Sequence, residues 1–193
     1  LDEFVEFPRS VLEVLRQPLE DGKIIIARAK MRLQFPSEFI LLAAMNPCPC
    51  GYYGDSTHKC TCSDNKISRY LSRISGPLLD RFDIHVEVPP VKFDELRDTE
   101  QTESSLEIKK RVDAARQIQR ERFKGTSTTC NAKMTPAQTR QFCTVTDKAD
   151  SLLKNAFDRL GLSARAYDKI LRVARTVADL DGSDIIDAQH ISR

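Results

Sequence analysis

Residues 39–52 of the chain have the sequence FILLAAMNPCPCGY, and this segment is the best single indicator of its architecture. The segment opens with a continuous apolar run, Phe39 to Met45, which Asn46 and Pro47 close. Such a run is typical of a strand covered on both faces, the usual state of a strand in a parallel α/β sheet. The segment therefore predicts a buried parallel strand that ends at Asn46.

The residues before this run predict a helix followed by a hairpin. Apolar side chains recur at helical spacing from Phe4 to Asp21, Pro8 suits the first turn, and Gly22 suits the end of the helix. Residues 23–35 alternate between apolar and polar side chains, which predicts β structure with one buried face and a turn near Ala29. The predicted apolar face consists of Ile25, Ala27, Ala29, Met31, Leu33 and Phe35.

The residues after the run predict one more strand and then only helices. Phe82 to Val88 alternate between apolar and polar residues, and Pro89 and Pro90 stop the strand. Residues 97–105 are polar and acidic and are interpreted as a linker. The predicted helices cover about 105–123, a short stretch after Thr135-Pro136, 147–160 between Thr146 as N-cap and Gly161, 163–180, and a last one from about 187.

The composition is that of a globular cytosolic protein without a membrane partner. Of the 193 residues, 40% are hydrophobic and 30% are charged, and no run of 18 apolar residues occurs. The net charge of +2 argues neither for nor against nucleic acid, so any such binding must rest on local patches.

Four cysteines predict a metal site. Cys48, Cys50, Cys60 and Cys62 fall within fifteen residues, and four thiolates suit a tetrahedral Zn²⁺ of structural type. The spacing is C-x-C rather than C-x₂-C, and His58 could replace one cysteine. Free thiols on a loop, or two disulfides under oxidation, are the alternatives.

Three segments carry a resemblance to a known family: residues 7–22, FPRSVLEVLRQPLEDG; residues 43–52, AAMNPCPCGY; and residues 75–83, SGPLLDRFD. Over essentially its whole length the chain resembles magnesium-chelatase-like AAA+ ATPases, and among them the bacterial competence-protein group. The resemblance implies a partial α/β AAA+ core at residues 1–92 and an all-α helical lid at residues 93–193. It also implies that the chain starts at the Walker B acidic pair, with the P-loop outside it.

The resemblance implies roles around ATP and Mg²⁺. Asp2 would ligate Mg²⁺, Glu3 would be the general base, and Asn46 would orient the attacking water. Taken alone, the acidic pair is more simply interpreted as a solvated terminus, and Asn46 as a turn residue before proline.

Two arginines would complete the site. The resemblance makes Arg81 the arginine finger of a neighbouring subunit, although an ion pair with Asp80 or Asp83 is the simpler interpretation. Arg165 lies in the first turn of a helix, where a cation opposes the helix dipole, so an anionic partner is expected. The resemblance makes Arg165 the lid residue that contacts the nucleotide phosphates, whereas Arg172 and Arg175 on the same helix are interpreted as solvated charges.

The hairpin carries cations without acids. No acidic residue occurs between residues 22 and 37, and the cations are Lys23, Arg28, Lys30 and Arg32. They form either a solvated basic face or, by resemblance, a hairpin that faces the pore of a ring and binds DNA phosphates without reading sequence.

The resemblance implies a homo-oligomeric, hexameric ring ATPase that remodels DNA, as in helicase-type branch migration during natural transformation. Without a P-loop, this chain alone is expected to be inactive. A metal-insertion motor that acts on a protein partner and a non-enzymatic zinc-stabilised binding module are the competing interpretations.

Overall fold

The computed structural model of the chain describes residues 1–28, 31–89 and 103–192. The chain separates into two compact units, Leu1–Arg97 and Asp98–Arg193. Each of the two hydrophobic clusters draws all its residues from one unit. Most of the predicted linker, residues 97–102, lies outside the described residues, as do Ala29 and Lys30.

The first unit begins with short helices rather than the one continuous helix predicted for residues 4–21. A 3₁₀ turn, Phe4–Glu6, is followed by α1, Arg9–Val14, and α2, Arg16–Asp21. Pro18 has no N–H to donate to the carbonyl four residues earlier, which explains the break between α1 and α2. Gly22 ends α2 with a φ of 62°, as the sequence predicts.

The predicted hairpin is confirmed, but its predicted faces are wrong. Strands β1, Lys23–Arg28, and β2, Met31–Pro36, pair antiparallel from Lys23 opposite Pro36 to Arg28 opposite Met31. A connection of two residues pairs odd-numbered with even-numbered positions, so Ile24 and Ile26, not Ile25 and Ala27, share a face with Leu33 and Phe35. This face is not buried either, because its large apolar side chains are 40–55% exposed.

The apolar run 39–45 is not the buried strand that the sequence predicts. No strand is assigned to it, and Ile40 is 96% exposed. Its backbone nevertheless bonds to the first residues of the chain: the amino group of Leu1 donates to Leu42 O (2.7 Å) and Ala44 N–H donates to Leu1 O (2.9 Å). This is the pattern of a parallel pair. Among the described residues the run has this one neighbour, whereas a covered central strand needs one on each side.

The predicted strand Phe82–Val88 is also wrong. These residues are not assigned to a strand, and the side chains of Ile84, Val86 and Val88 are 67–80% exposed. An alternating sequence forms a strand only beside a partner that takes up its backbone hydrogen bonds, and the described part of the chain provides none here.

Two further helices lie in the described part of the first unit. Helices α3, Asp64–Leu71, and α4, Gly76–Leu79, enclose a core with the chain start and α1. The buried members of this core are Phe4, Val5, Leu12, Tyr70, Ile74 and Leu78, and Phe82 packs against Phe4 edge to face at 5.5 Å.

The second unit is helical, as the sequence predicts. Its helices are α5 (Ser105–Arg122), α6 (Pro136–Phe142), α7 (Asp147–Leu160), α8 (Ala164–Leu180) and α9 (Ala188–Ile191), with a 3₁₀ turn at Asn131–Lys133. Ser104, Thr135, Thr146 and Ser163 cap the first four of these helices through their side-chain oxygens. Helix α8 forms the centre of the core, and no described helix is long and apolar enough to cross a bilayer.

Candidate functional site

The acidic pair lies at an irregular end of the parallel pairing. In a regular parallel pair the next bond to Ala44 O would come from Glu3 N–H, but it comes from Phe4 N–H (2.9 Å). Glu3 N–H donates instead to the Asp2 carboxylate (2.8 Å), and Glu3 adopts a φ of 49°. This left-handed conformation costs about 1–2 kcal/mol in a residue other than glycine. The acidic side chains are thus presented, exposed, on a strained backbone.

Asn46 lies at the same end of this pair. Leu1 and the segment 42–44 run in the same direction. Asp2 and Glu3 lie between the bonded residues Leu1 and Phe4, and Asn46 follows the bonded residue Ala44 on the other segment. Asn46 is exposed. The structure therefore brings the backbone of three predicted site residues to one edge of the first unit.

Arg81 follows α4 and is largely covered. Its guanidinium donates to the Glu20 carboxylate of α2 and to Pro77 O, and its side chain is 13% exposed. Its buried Nε has no hydrogen-bond partner among the described residues. The contact with Glu20 joins residues 61 positions apart, and no local pattern predicts it.

Arg165 belongs to the second unit. It lies in the first turn of α8, where its side chain is exposed, and Ser163 Oγ caps this turn by accepting from Ala166 N–H (3.2 Å). The prediction that Arg165 lies at the N-terminus of a helix is therefore confirmed.

The prediction that Arg175 is a solvated charge is wrong. Arg175 is 1% exposed and donates to Asp179 (3.1 Å) and to Asp184 O (2.6 Å). Asp179 also accepts from Arg122 of α5 (2.7 Å) and from Asn131 Nδ2 (2.8 Å). The i, i+4 spacing of Arg175 and Asp179 on one helix was the available signal for this buried network.

The neighbours of Asp179 stabilise its ionised form. Burial alone would raise the pKa of Asp179, but hydrogen bonds from Arg122 and Asn131, with the charges of Arg122 and Arg175, lower it below its ordinary value.

Arg172, which is also predicted to be solvated, is partly exposed and donates to Ala132 O (3.1 Å).

The four cysteines converge as predicted. The sulfur of Cys48 lies 3.3 Å from that of Cys50 and 3.7 Å from that of Cys60, and all four sulfurs, including that of Cys62, lie within 4.8 Å of one another. Four sulfurs around a zinc at the usual bond length of about 2.3 Å stand about 3.8 Å apart, so the cluster fits this ion. All four are free thiols.

His58 does not join this cluster. Its ring contacts the hydroxyl of Thr57 (2.9 Å) and stacks on Tyr52 at 4.9 Å between centroids. The alternative of a histidine ligand is therefore not favoured by the geometry.

The thiols of the cluster favour different protonation states. Backbone N–H groups of Tyr52 and Thr61 lower the pKa of Cys50 to about 5. The N–H of Cys62 lowers the pKa of Cys60, but burial and the neighbouring sulfurs of Cys50 and Cys48 outweigh it and raise that pKa to about 12. Crowded sulfurs of this kind are a natural site for a cation that stabilises all of them as thiolates.

The cations of the hairpin do not form one face. Lys23 and Arg32 lie on one side of the hairpin, and Arg28 lies on the other side, opposite Met31. Both arginines are exposed. The fourth predicted cation, Lys30, lies outside the described residues.

Comparison with known families matches both units. Residues 1–96 match the family described as magnesium chelatase, subunit ChlI, and residues 102–193 match its C-terminal domain. The chain belongs to the magnesium-chelatase family.

Among its relatives are longer proteins that it matches from end to end. It is 46% identical to the competence protein ComM of Haemophilus influenzae over 193 residues, which is 100% of this chain and 37% of that protein. It is 42% identical over 192 residues to the YifB protein of Escherichia coli, and 39% identical over 192 residues to that of Salmonella typhimurium, covering 99% of this chain and 37% of each relative. The chain thus spans a little over a third of the length of these relatives.

Proposed function

We propose that this chain supplies the second part of the nucleotide site of a AAA+ ring ATPase that remodels DNA. The observation that carries the proposal is the parallel pairing of Leu1 with residues 42–44, since it directs Asp2, Glu3 and Asn46 to one edge. Membership of the magnesium-chelatase family and the similarity to a competence protein support the same function. On this proposal residues 1–92 are the later part of the ATPase core and residues 93–193 are the helical lid.

ATP hydrolysis gives the acidic pair and Asn46 distinct tasks. Asp2 would hold Mg²⁺, usually through water, and bound Mg²⁺ neutralises charge on the phosphates. Glu3 would accept the proton of the attacking water, and the Asn46 amide would orient that water. The strained backbone at Glu3 fits a residue whose side-chain direction matters.

Two arginines would serve the site from elsewhere. Arg165 would contact the phosphates from the lid, and Arg81 would reach the nucleotide of the next subunit in a homo-hexameric ring and stabilise charge in the transition state. To do so, Arg81 must exchange its contact with Glu20 for one with the nucleotide. Assembly of the ring and nucleotide binding would drive this exchange.

The cations of the hairpin would bind the DNA backbone in the pore. Lys23, Arg28, Lys30 and Arg32 suit phosphates, which they would contact without reading sequence. Arg28 and Arg32 lie on opposite sides of the hairpin. DNA phosphates would therefore be contacted from both sides of the hairpin rather than along one face. Branch migration during natural transformation is the work that such a motor would perform.

The four cysteines would hold a structural Zn²⁺ in the same unit. Four protein ligands leave no open coordination position, so the ion would not take part in chemistry directly.

The experiment is the ATPase rate of the full-length protein with and without Glu3→Gln. Removal of the base is expected to lower kcat about 10²-fold or more, whereas the matched control Glu6→Gln, three residues on, is expected to keep it within about threefold. Arg81→Ala is expected to lower kcat about 10³-fold or more. Equal rates for wild type and Glu3→Gln would contradict the proposal, as would ATP turnover by this 193-residue chain alone.

The DNA partner is tested by the salt dependence of binding. Arg32→Ala is expected to weaken binding of DNA of any sequence and to reduce the slope of log K against log salt by about one. Arg159→Ala, an exposed arginine of α7, is the control and should leave the slope unchanged. ATP turnover without salt-dependent DNA binding would favour a motor that acts on a protein partner.

A further inference from the structure

The segment that carries Asn46 is anchored on both sides. Upstream, Ala44 N–H donates to Leu1 O and Ala44 O accepts from Phe4 N–H, both at 2.9 Å. Downstream, Cys48 is fully buried and its sulfur contacts those of two other cysteines at 3.3 and 3.7 Å. Asn46 is two residues from each anchor.

The connection from Asn46 to Cys48 is short and stiff. Pro47 fixes its own φ near −65° and restricts the backbone of the residue before it. The position of Cys48 therefore limits the positions that Asn46 can take, much more than a flexible linker would.

The cysteine loop has little else to hold it in place. None of the residues from 49 to 62 is buried. Its internal order comes from glycine turns and from Asp55, whose carboxylate accepts from Thr57 and His58 N–H (2.6 and 3.0 Å). A segment without a core of its own needs a metal ion or a covalent link to keep its fold. The contact between the sulfurs of Cys48 and Cys60 therefore depends on such a link.

We propose that the four cysteines bind one Zn²⁺ and that this centre positions Asn46 beside the acidic pair. The cysteines are positioning residues, because they act on the chemistry through Asn46. The consequence for ATP hydrolysis rests on the proposed function, but metal binding and the order of residues 42–46 do not.

Metal binding is tested on this chain. Wild type is expected to hold one zinc per chain by elemental analysis, and to give the intense sulfur-to-metal absorption of a thiolate site when Co²⁺ replaces zinc. Cys60→Ser is expected to bind zinc at least tenfold more weakly. Cys130→Ser, a cysteine outside the cluster, is the matched control and should bind zinc as wild type does. Wild-type chain that holds no zinc, even after reconstitution, would overturn the proposal.

Positioning is tested by amide hydrogen exchange, which needs no enzyme activity. Removing zinc with a chelator, or introducing Cys60→Ser, is expected to speed exchange at Ala44 and its neighbours at least tenfold. Exchange in α1 of the same unit should change less than twofold, which shows that the first unit remains folded. Cys60→His replaces the thiolate with another metal ligand, so unlike Cys60→Ser it should keep both zinc and protection. Loss of zinc with unchanged exchange at residues 42–46 would overturn the positioning role.

The effect on hydrolysis is measured on the full-length protein. Cys60→Ser is expected to lower kcat at least tenfold while KM for ATP stays within about threefold, because Asn46 acts on the attacking water rather than on nucleotide binding. Cys60→His should keep most of kcat. An unchanged kcat in zinc-free protein would overturn the proposal. If wild type hydrolyses no ATP, the proposed function fails, and the zinc and exchange measurements still decide this inference.

Discussion

One carboxylate joins two helices of the second unit. The side chain of Asp179 is fully buried and accepts from arginines of both α5 and α8. The Nη1 and Nη2 atoms of Arg175 donate to the carbonyls of Asp184 and Ser183. A buried charge of this kind is tolerated because it is fully hydrogen-bonded, and removal of the shared acceptor leaves two arginines without a counter-charge.

Asp179→Ala is therefore expected to lower the free energy of unfolding by about 3–5 kcal/mol. Asp158→Ala, an exposed aspartate of α7, is the control and should change it by less than about 0.5 kcal/mol. Urea denaturation followed by circular dichroism measures both. A loss below about 1 kcal/mol for Asp179→Ala would show that the network contributes little.

The same carboxylate predicts a pH dependence. Because the pKa of Asp179 is lower in the folded state than in the unfolded chain, its contribution to stability is fully present above the unfolded value of about 3.9. The contribution is lost as pH falls through the unfolded pKa towards the folded one. Between pH 5 and 3, unfolding free energy should fall more steeply for wild type than for Asp179→Asn, and parallel curves would contradict this.

The backbone strain at Glu3 predicts a separation of stability from activity. Glycine adopts a φ of 49° without the side-chain clash, so Glu3→Gly is expected to raise the free energy of unfolding by up to about 1 kcal/mol. Glu3→Ala keeps the clash and should give no such gain. Thermal denaturation of the two variants compares them directly, and the full-length Glu3→Gly protein should have lost hydrolysis.

At the scale of the elements, the end of α7 gives a clean test of helix capping. Gly161 has a φ of 60°, and an added Cβ would meet no atom within 4 Å, so backbone strain alone decides the outcome. Gly161→Ala is expected to cost about 1 kcal/mol of stability, and Gly161→Asn less, because asparagine tolerates this conformation. Equal losses of stability for Gly161→Ala and Gly161→Asn in chemical denaturation would contradict backbone strain as the cause.

Helices of the second unit could be predicted because their signals are local. Thr146, Ser163 and Gly161 each mark a helix end within a few residues of the apolar pattern that they bound. The strands could not be predicted as well, since a strand depends on a partner distant in sequence. The runs 39–45 and 82–88 have strand-like sequences and lack, in the described chain, the neighbours that would cover them.

The features of the candidate site also differ in whether a local sequence signal predicts them. The convergence of the cysteines followed from their spacing, which is local. The contact of Arg81 with Glu20 depends on packing between distant segments, so no pattern in the sequence predicts it. The i, i+4 spacing of Arg175 and Asp179 indicates their pairing but not their burial. The predicted faces of the hairpin are wrong because a continuous alternation over residues 25–35 requires one strand. The pairing of Arg28 with Met31 instead places even-numbered positions of β1 beside odd-numbered positions of β2.

At the scale of the whole molecule, much apolar surface of the first unit is uncovered. Ile40 and Leu42 are exposed in one extended segment, and Val86 and Val88 are exposed in another. Extended apolar segments with free backbone groups pair readily with other chains.

This chain alone is therefore expected to self-associate as its concentration rises. Ile40→Lys with Val86→Lys should keep it monomeric, since charged side chains on an unpaired strand oppose such pairing. Light scattering after size-exclusion chromatography measures the mass. Leu160→Lys, at an exposed apolar residue of α7, is the control and should leave self-association unchanged. A wild-type chain that stays monomeric at high concentration would contradict the expectation.

The register of the hairpin also limits how related chains can differ in length. With two residues between β1 and β2, one side of the ribbon carries Arg28 and the other carries Arg32. Insertion of a single residue at the tip would exchange the sides of one whole strand, moving its apolar and basic side chains together. Natural insertions in this ribbon are thus expected to come in even numbers, a regularity that can be checked by counting residues between its strands across genomes.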